Sequence, residues 1–426
     1  MLNLIEKLLP TPSDHSPEQT ASLRKNLHMH LADGSLYVFG MSLISVPTIF
    51  PIFIKELGGS AIAIGSVQVL WMIGLNIPAA FVAQYLQRRA FFKPAMVKWG
   101  FVHRFMLFIS GVTVLIAVGN ISSTFAVSLF LLLLFLTAAL GSVAGLPWFQ
   151  VYTKTVPVKL RGRLMGIRQL LGSAAGAVGG SIVGLVLYAV VFPINFALLF
   201  FGAFIVTMFS FYFISKIAEQ PTEVGETEQK KFNILHEART IIRSNKNFRH
   251  FLFADAFILM SVAASSFYSV YAVEKFSLPS SSAGTFTAIV MLTSVVANIA
   301  FGIIADSFGH KVNLLAFAFC SAMASLLAIL SPNIFMYGFV FFFLACSIQV
   351  QTISRLPFVA EMCKESDRPV YVGIANTLTA PTVLVGILFG WLVPKIGYGS
   401  VFGITALLAV SAVILLHKFV KDPRKM

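Results

Sequence analysis

The stretch SAGTFTAIVMLTSVVANIAFGIIADSFGHK, residues 282–311, decides how the chain reads. From 282 to 305 it contains no charged residue. That is long enough for an α-helix rising ~1.5 Å per residue to cross a hydrocarbon core of ~30 Å. Polarity then returns abruptly, with Asp306, Gly309 and Lys311 crowded into one turn. Alternation of the kind that marks a membrane β-strand is missing, so the segment reads as a spanning helix followed by a tight loop.

The same pattern runs through the whole chain. Apolar segments fall at 30–54, 61–86, 95–118, 122–150, 164–190, 194–215, 249–273, 282–305, 311–330, 334–361, 370–394 and 399–417. Of the 426 residues, 57% are hydrophobic and only 11% charged, against ~25% in a soluble domain. A soluble fold of this size could not hide that much apolar surface, and a disordered chain would not carry it. The composition therefore predicts an integral membrane protein whose first partner is the lipid bilayer. Pro47, Pro51, Pro78 and Pro381 lie inside spans, where kinks are tolerated.

The net charge of +14 would suggest nucleic acid in a soluble protein. Here it sorts by topology. Twenty-two Lys and Arg residues fall on the side of the N-terminal tail, and only Lys55, Lys275 and Lys395 fall on the other. The asymmetry predicts a plasma-membrane protein with both termini cytoplasmic and no nucleic-acid partner. The tail lacks the apolar run of a signal peptide. Cys320, Cys346 and Cys363 show neither metal nor disulfide spacing.

The long connection 216–247 divides the chain into a tail at 1–27, six spans over 28–215, six more over 248–418, and a tail at 419–426. Within the connection, FNILHEARTIIRS predicts an amphipathic helix with Phe232, Leu235, Ile241 and Ile242 on one side. The two halves repeat. LADG at 31–34 aligns with FADA at 253–256, which places Asp33 on Asp255 at an offset of 222. Gln84 falls on Asp306 at the same offset, and RGRLMGI at 161–167 aligns with RPVYVGI at 368–374 at an offset of 207. Such repeats are expected where two bundles trade places around a central cavity.

At this point a resemblance enters. GIIADSFGHK at 302–311 resembles the signature loop of the major facilitator superfamily, with Gly302, Asp306, Gly309 and Lys311 at its glycine, acid, glycine and basic positions. The first-half copy departs from it, with Gln84 in place of the acid and basic character kept by Arg88 and Arg89. RGRLMG at 161–166 is similar to the superfamily's second cytoplasmic signature, with Arg161 and Gly166 answered by Arg368 and Gly373. The resemblance implies an all-α polytopic membrane protein of twelve transmembrane helices in two six-helix, pseudo-symmetric bundles. It also implies a monomeric carrier that moves a small solute by alternating access. Loop physics predicts that Gly302 allows close helix approach and Gly309 a tight turn. Asp306 is expected to pair with Arg368, Lys364 or Lys311 as a cytoplasmic latch.

Polar groups inside the spans are the candidate site, since each is costly there unless paired or wetted. Asp33 and Asp255 share a repeat position, with Arg24 or Lys154 expected to partner the first and Arg249 or Arg355 the second. Arg355 should face a carboxylate or a cavity, while His103 and Arg104 are expected to reach the inner headgroups. Candidate cavity residues are Gln68, Trp71 and Asn76 in the first half, with Ser265, Tyr268, Asn298, Gln349, Arg355 and Asn376 in the second. No carboxylate falls at mid-depth; Asp33 or Asp255 could carry protons only through a wet inner vestibule, so the sequence leaves direction and coupling open. The sequence contains no P-loop, HExxH or nucleophile elbow, so no enzyme activity, cofactor or metal site is expected. The function class is transport of a small organic solute. Efflux of an amphiphile and nutrient uptake are its variants, and a non-transporting sensor or a lipid translocase on the same fold is the rival reading.

Overall fold

The computed structural model describes residues 16–86, 89–221 and 234–425, and the expectations resting on residues 1–15, Arg88 and Phe232 lie outside them. The side chains of Gln84 and Leu235 are likewise outside the description. No strand occurs among the described residues. Nine helices there are long and apolar enough to cross a membrane, and Ala61–Asn76 is a shorter apolar one.

The first apolar segment is not one helix. Helix α1, Pro17–Ser42, starts at a capping box in which Ser16 and Gln19 exchange side-chain and backbone hydrogen bonds. It stops at Leu43, and the chain resumes as α2, Phe50–Glu56. Pro47 lies in the gap, where it lacks an amide donor and disfavours a helical residue before it. Helices α3 (Ala61–Leu86), α4 (Lys93–Ala117), α5 (Ser123–Thr155), α6 (Val158–Ala189) and α7 (Ile194–Ser215) follow the expected segments closely.

Within the connection, α8 (Ile234–Ser244) forms in the predicted amphipathic segment, and Ile241 and Ile242 pack on an apolar cluster that includes Phe248, Leu416 and Val420. The seventh segment is interrupted like the first, as α9 (Lys246–Ser261) and α10 (Ser265–Lys275). Helices α11 (Ser282–Phe308), α12 (His310–Leu330) and α13 (Ile334–Glu361) complete the next three. The last two segments begin with α14 (Arg368–Thr379), pass through a 3-10 turn at Ala380–Leu384 that contains Pro381, and continue as α15 (Val385–Phe419). Gly397, at φ 78°, bends α15 and separates the two expected spans.

By packing, the chain forms two compact units. One comprises Met1–Ser45 and Leu70–Glu226, the other Val46–Val69 and Thr227–Met426. Residues 46–69, placed by sequence in the first six-span half, thus pack with the second. In the first unit, α1 lies against α6 and α7, and α4 against α5 and α7. In the second, α9 lies against α15, α12 against α13 and α15, and α11 against α13.

Candidate functional site

At the shared repeat position each unit buries a carboxylate against guanidinium groups. In the second unit Asp255 is fully buried on α9. Arg355 of α13 donates from Nε to both Asp255 oxygens at 3.0 Å and from Nη2 to Oδ2 at 2.8 Å. Its remaining donors reach Asn376 Oδ1 at 2.8 Å and Thr379 Oγ1 at 3.0 Å. One carboxylate meets one guanidinium, and the guanidinium is hydrogen-bonded at every nitrogen. A buried ion pair is tolerated under those conditions. The expected pairing of Asp255 with Arg355 is present.

The first unit solves the same problem differently. Asp33 is 2% exposed on α1, and its partners are Arg104 of α4, at 3.4 Å, and Arg168 of α6, at 3.6 Å, rather than Arg24 or Lys154. Lys154 instead binds Glu219 at 2.7 Å. Ser210 donates to Asp33 Oδ1 at 2.7 Å. Arg104 is anchored by the carbonyls of Thr207, at 2.8 Å, and Gly100, at 3.0 Å, and by Ser210 Oγ at 3.1 Å. The expectation that Arg104 and His103 reach the headgroups is therefore corrected. Arg104 stands eleven residues inside α4, ~16 Å along its axis, and both side chains are buried. The Nδ1–H of His103 donates to the Thr137 carbonyl at 2.9 Å, which leaves Nε2 to accept from Tyr37 Oη at 3.1 Å. A neutral imidazole satisfies both bonds, since the Tyr37 hydroxyl can donate.

The two clusters compensate each other's sequence differences. The guanidinium of Arg168 crosses the backbone at Gly34, in the space a Cβ there would occupy. In the second half the aligned residue is Ala256, and the residue aligned with Arg168 at the 207 offset is Ala375. The same offset places Arg355 on Trp148, whose ring carries the Arg168 guanidinium at 4.6 Å. One repeat thus supplies its arginine from α6 and stacks it on a tryptophan of α5. The other supplies it from the helix aligned with α5 and backs it with an asparagine.

Around Asp33 lies a cavity of about 180 Å³, lined by Tyr37, Met96, Gly100, His103, Arg104, Gly141, Ala144, Gly145, Trp148, Arg168 and Ile214. None of the cavity candidates named from the sequence lines it. Of those, Arg355 and Asn376 meet at Asp255, and Asn298 donates to Gln349 at 3.3 Å. The others are placed elsewhere. Tyr268 is buried with its hydroxyl 2.9 Å from Ser325 Oγ, and Ser265 is buried at the start of α10. Asn76 is exposed and donates to the Met72 carbonyl of its own helix, while Gln68 and Trp71 are half-buried.

The loop residues give a mixed result. Gly309, at φ 89°, ends α11 in a conformation that favours glycine, as the loop reading requires. Gly302 allows no close approach, since a Cβ there, or at Gly166 or Gly373, would meet open space. Asp306 is exposed, and its carboxylate forms no ion pair among the described residues. Arg368 pairs with Glu365, and Lys311 is half-buried. The ion pair formed beside this loop is a different one, with Arg424 holding Glu361 at 2.8 Å and the Ala305 carbonyl at 3.0 Å. Arg161 folds back onto the carbonyls of Val156 and Thr153, closing the turn between α5 and α6.

Arg168 and Glu219 are the functional-looking residues the sequence reading missed. Arg168 follows RGRLMGI by one residue, and the glycine after Asp33 was the available signal that something large crosses there. Glu219 sits in an acidic run that reads as linker, but it accepts from the backbone amides of Phe92 and Lys93 at the start of α4.

The family model described as Major Facilitator Superfamily matches residues 34–357 and 256–426. No curated protein matches the sequence. Among solved structures the chain is similar to a point mutant of the nucleoside transporter NupG, with a TM-score of 0.73 at 14% identity, covering 93% of this chain and 100% of that one. A D-xylose-proton symporter gives 0.73 at 14% identity, covering 95% and 99%. A bacterial homologue of the human lysosomal transporter Spinster, inward-facing and unoccupied, gives 0.64 at 13% identity, covering 96% and 99%.

Proposed function

The chain belongs to the major facilitator superfamily, and from that membership we propose that it is a secondary transporter moving a small hydrophilic organic solute by alternating access. The observation that carries the reading is the pair of buried carboxylate–guanidinium clusters, one in each unit at matching repeat positions. A carrier of this kind moves bundles of helices as bodies. Each cluster ties the first helix of its repeat to helices of the same unit, so that the unit holds together while its surroundings change. The charged side chains lining the first-unit cavity favour a hydrophilic solute over the amphiphilic export cargo suggested by composition.

The protein works as a monomer in the plasma membrane with both termini in the cytoplasm. The one-sided distribution of Lys and Arg supports that orientation. Asp33 and Asp255 remain the seats for proton coupling, a reading in keeping with the proton symporter among the similar folds. The test is uptake and counterflow in proteoliposomes over nucleosides, pentoses, small organic acids and amphiphilic dyes, with and without an imposed pH gradient. Saturable movement of at least one hydrophilic class is expected. Silence across the panel, with a reference carrier active in parallel, would overturn the proposal.

A further inference from the structure

The two buried clusters differ in charge. Around Asp255 one carboxylate meets one guanidinium, and the sum is zero. Around Asp33 one carboxylate meets two guanidinium groups beside a neutral His103, and the sum is +1. The surplus is concentrated on one side chain. Arg104 spends its donors on two backbone carbonyls, Ser210 and Asp33. Arg168 reaches Asp33 only at 3.6 Å, and its sole side-chain hydrogen bond among the described residues is to the thioether of Met165 at 3.4 Å. A guanidinium has five N–H donors in a planar fork suited to a carboxylate, and here that fork is left almost unused. It is nonetheless largely enclosed, with a side chain 12% exposed, at the wall of a cavity.

Enclosing two guanidinium groups against a single carboxylate is expensive, so the surplus implies an anion that completes the site. We propose that the cavity beside Asp33 binds the carboxylate of a small monocarboxylate solute, with Arg168 as its anchor and Tyr37 and Trp148 packing against the remainder. The surplus of a single positive charge sets the valence. A phosphate monoester, carrying between about −1.5 and −2 at neutral pH, would leave the pocket negative. The volume of about 180 Å³ is below the ~300–1,000 Å³ of pockets for drug-sized ligands, which limits the solute to a few carbons beyond its carboxylate or one small ring. The Trp148 face gives the guanidinium a cation–π support that keeps it in place when the anion leaves. The inference names the solute class for the transport reading above, and rests on it only for turnover.

The experiment pairs each acid with its neutral amide, lactate against lactamide and benzoate against benzamide. Binding to the purified full chain is read by titration calorimetry and uptake by proteoliposomes. The acids should bind at least about tenfold more tightly than their amides. Arg168→Gln should lose about 30-fold or more of acid affinity, as expected when one partner of a buried charge pair is removed, with the amides unchanged. Arg168→Lys, which keeps the charge but loses the fork, should lose about tenfold. It carries the test if Arg168→Gln does not fold. Acids and amides binding alike, no binding by either acid, or selectivity that survives both variants would overturn the assignment. Uptake of neutral solutes alone would sink it and leave the transport reading standing. Acid binding without any uptake would do the reverse.

Discussion

Alanine at Gly390 should shift the balance between conformations without unfolding the protein. Gly390 of α15 lies against the start of α3. A Cβ there would stand 2.5 Å from the carbonyl oxygen of Ala61 and 2.6 Å from the Ile62 Cα. Ordinary contact begins near 3.4 Å, so α3 must back away by almost an ångström, and backbone atoms cannot rotate aside. The contact repeats one turn on, where a Cβ at Gly65 would overlap the Gly386 carbonyl oxygen. Overpacking of this kind costs about 1–3 kcal/mol. By sequence, residues 46–69 belong to the first repeat, and a carrier that alternates must release them from the second unit. A cost borne only by the seated form therefore favours release by about 5–150-fold. The assay places a single cysteine at Thr287, in a background without Cys320, Cys346 and Cys363. Thr287 is fully buried here, with its hydroxyl 2.6 Å from that of Thr48. Labelling by a membrane-impermeant maleimide should accelerate by that factor in Gly390→Ala. It should not change in Gly403→Ala, on the same helix, where a Cβ meets open space. Equal rates in the parent and both variants, or equal acceleration in both variants, would refute the argument.

Other perturbations follow from the same contacts. Asp255→Asn strands the buried Arg355 and should destabilise the second unit by about 3–5 kcal/mol, read as a fall in detergent melting temperature. Asp306→Asn, at an exposed carboxylate without an ion pair among the described residues, should change stability by no more than about 0.5 kcal/mol in the same measurement. Glu219→Gln weakens the carboxylate that Lys154 and the amides of Phe92 and Lys93 share, and should cost about 1.5–3 kcal/mol in chemical denaturation. Burial, helped by Asp367, raises the Cys363 thiol above its ordinary range. Its maleimide labelling should thus be slower at neutral pH than that of an exposed cysteine, and should rise about tenfold per pH unit while the thiol remains the main form.

The helices were legible where only hydropathy and local chemistry decide. Segments 61–86, 194–215, 311–330 and 334–361 appear as helices almost to the residue, because lipid demands that a span satisfy its own backbone. The repeat alignment set Asp33 on Asp255, and both are buried carboxylates paired with arginine. The breaks at 43–49 and 262–264 were not legible, although Pro47 marked the first: local turns, with the amides of Leu43, Ile44, Val262 and Ala263 donating three residues back, satisfy the backbone there without any change of hydropathy. Asp255 and Arg355 could be paired from sequence because both are lone charges in apolar segments. Arg104 was not assigned to Asp33, because it sits within reach of a basic helix end and so reads as a headgroup contact, and Arg168 carries no sequence mark that separates it from the basic run before it.

By itself the sequence determined an all-helical membrane protein and the spacing that aligns one acid of each half. These are properties of composition and spacing along the chain, and they hold whatever the helices touch. The tertiary structure alone decided which cations those acids meet, that Gly34 makes room for Arg168 where Ala256 would not, and that one cluster is neutral while the other carries an extra positive charge. Charge balance in a buried site depends on which helix faces meet at one depth, and that is set by packing between segments far apart in sequence.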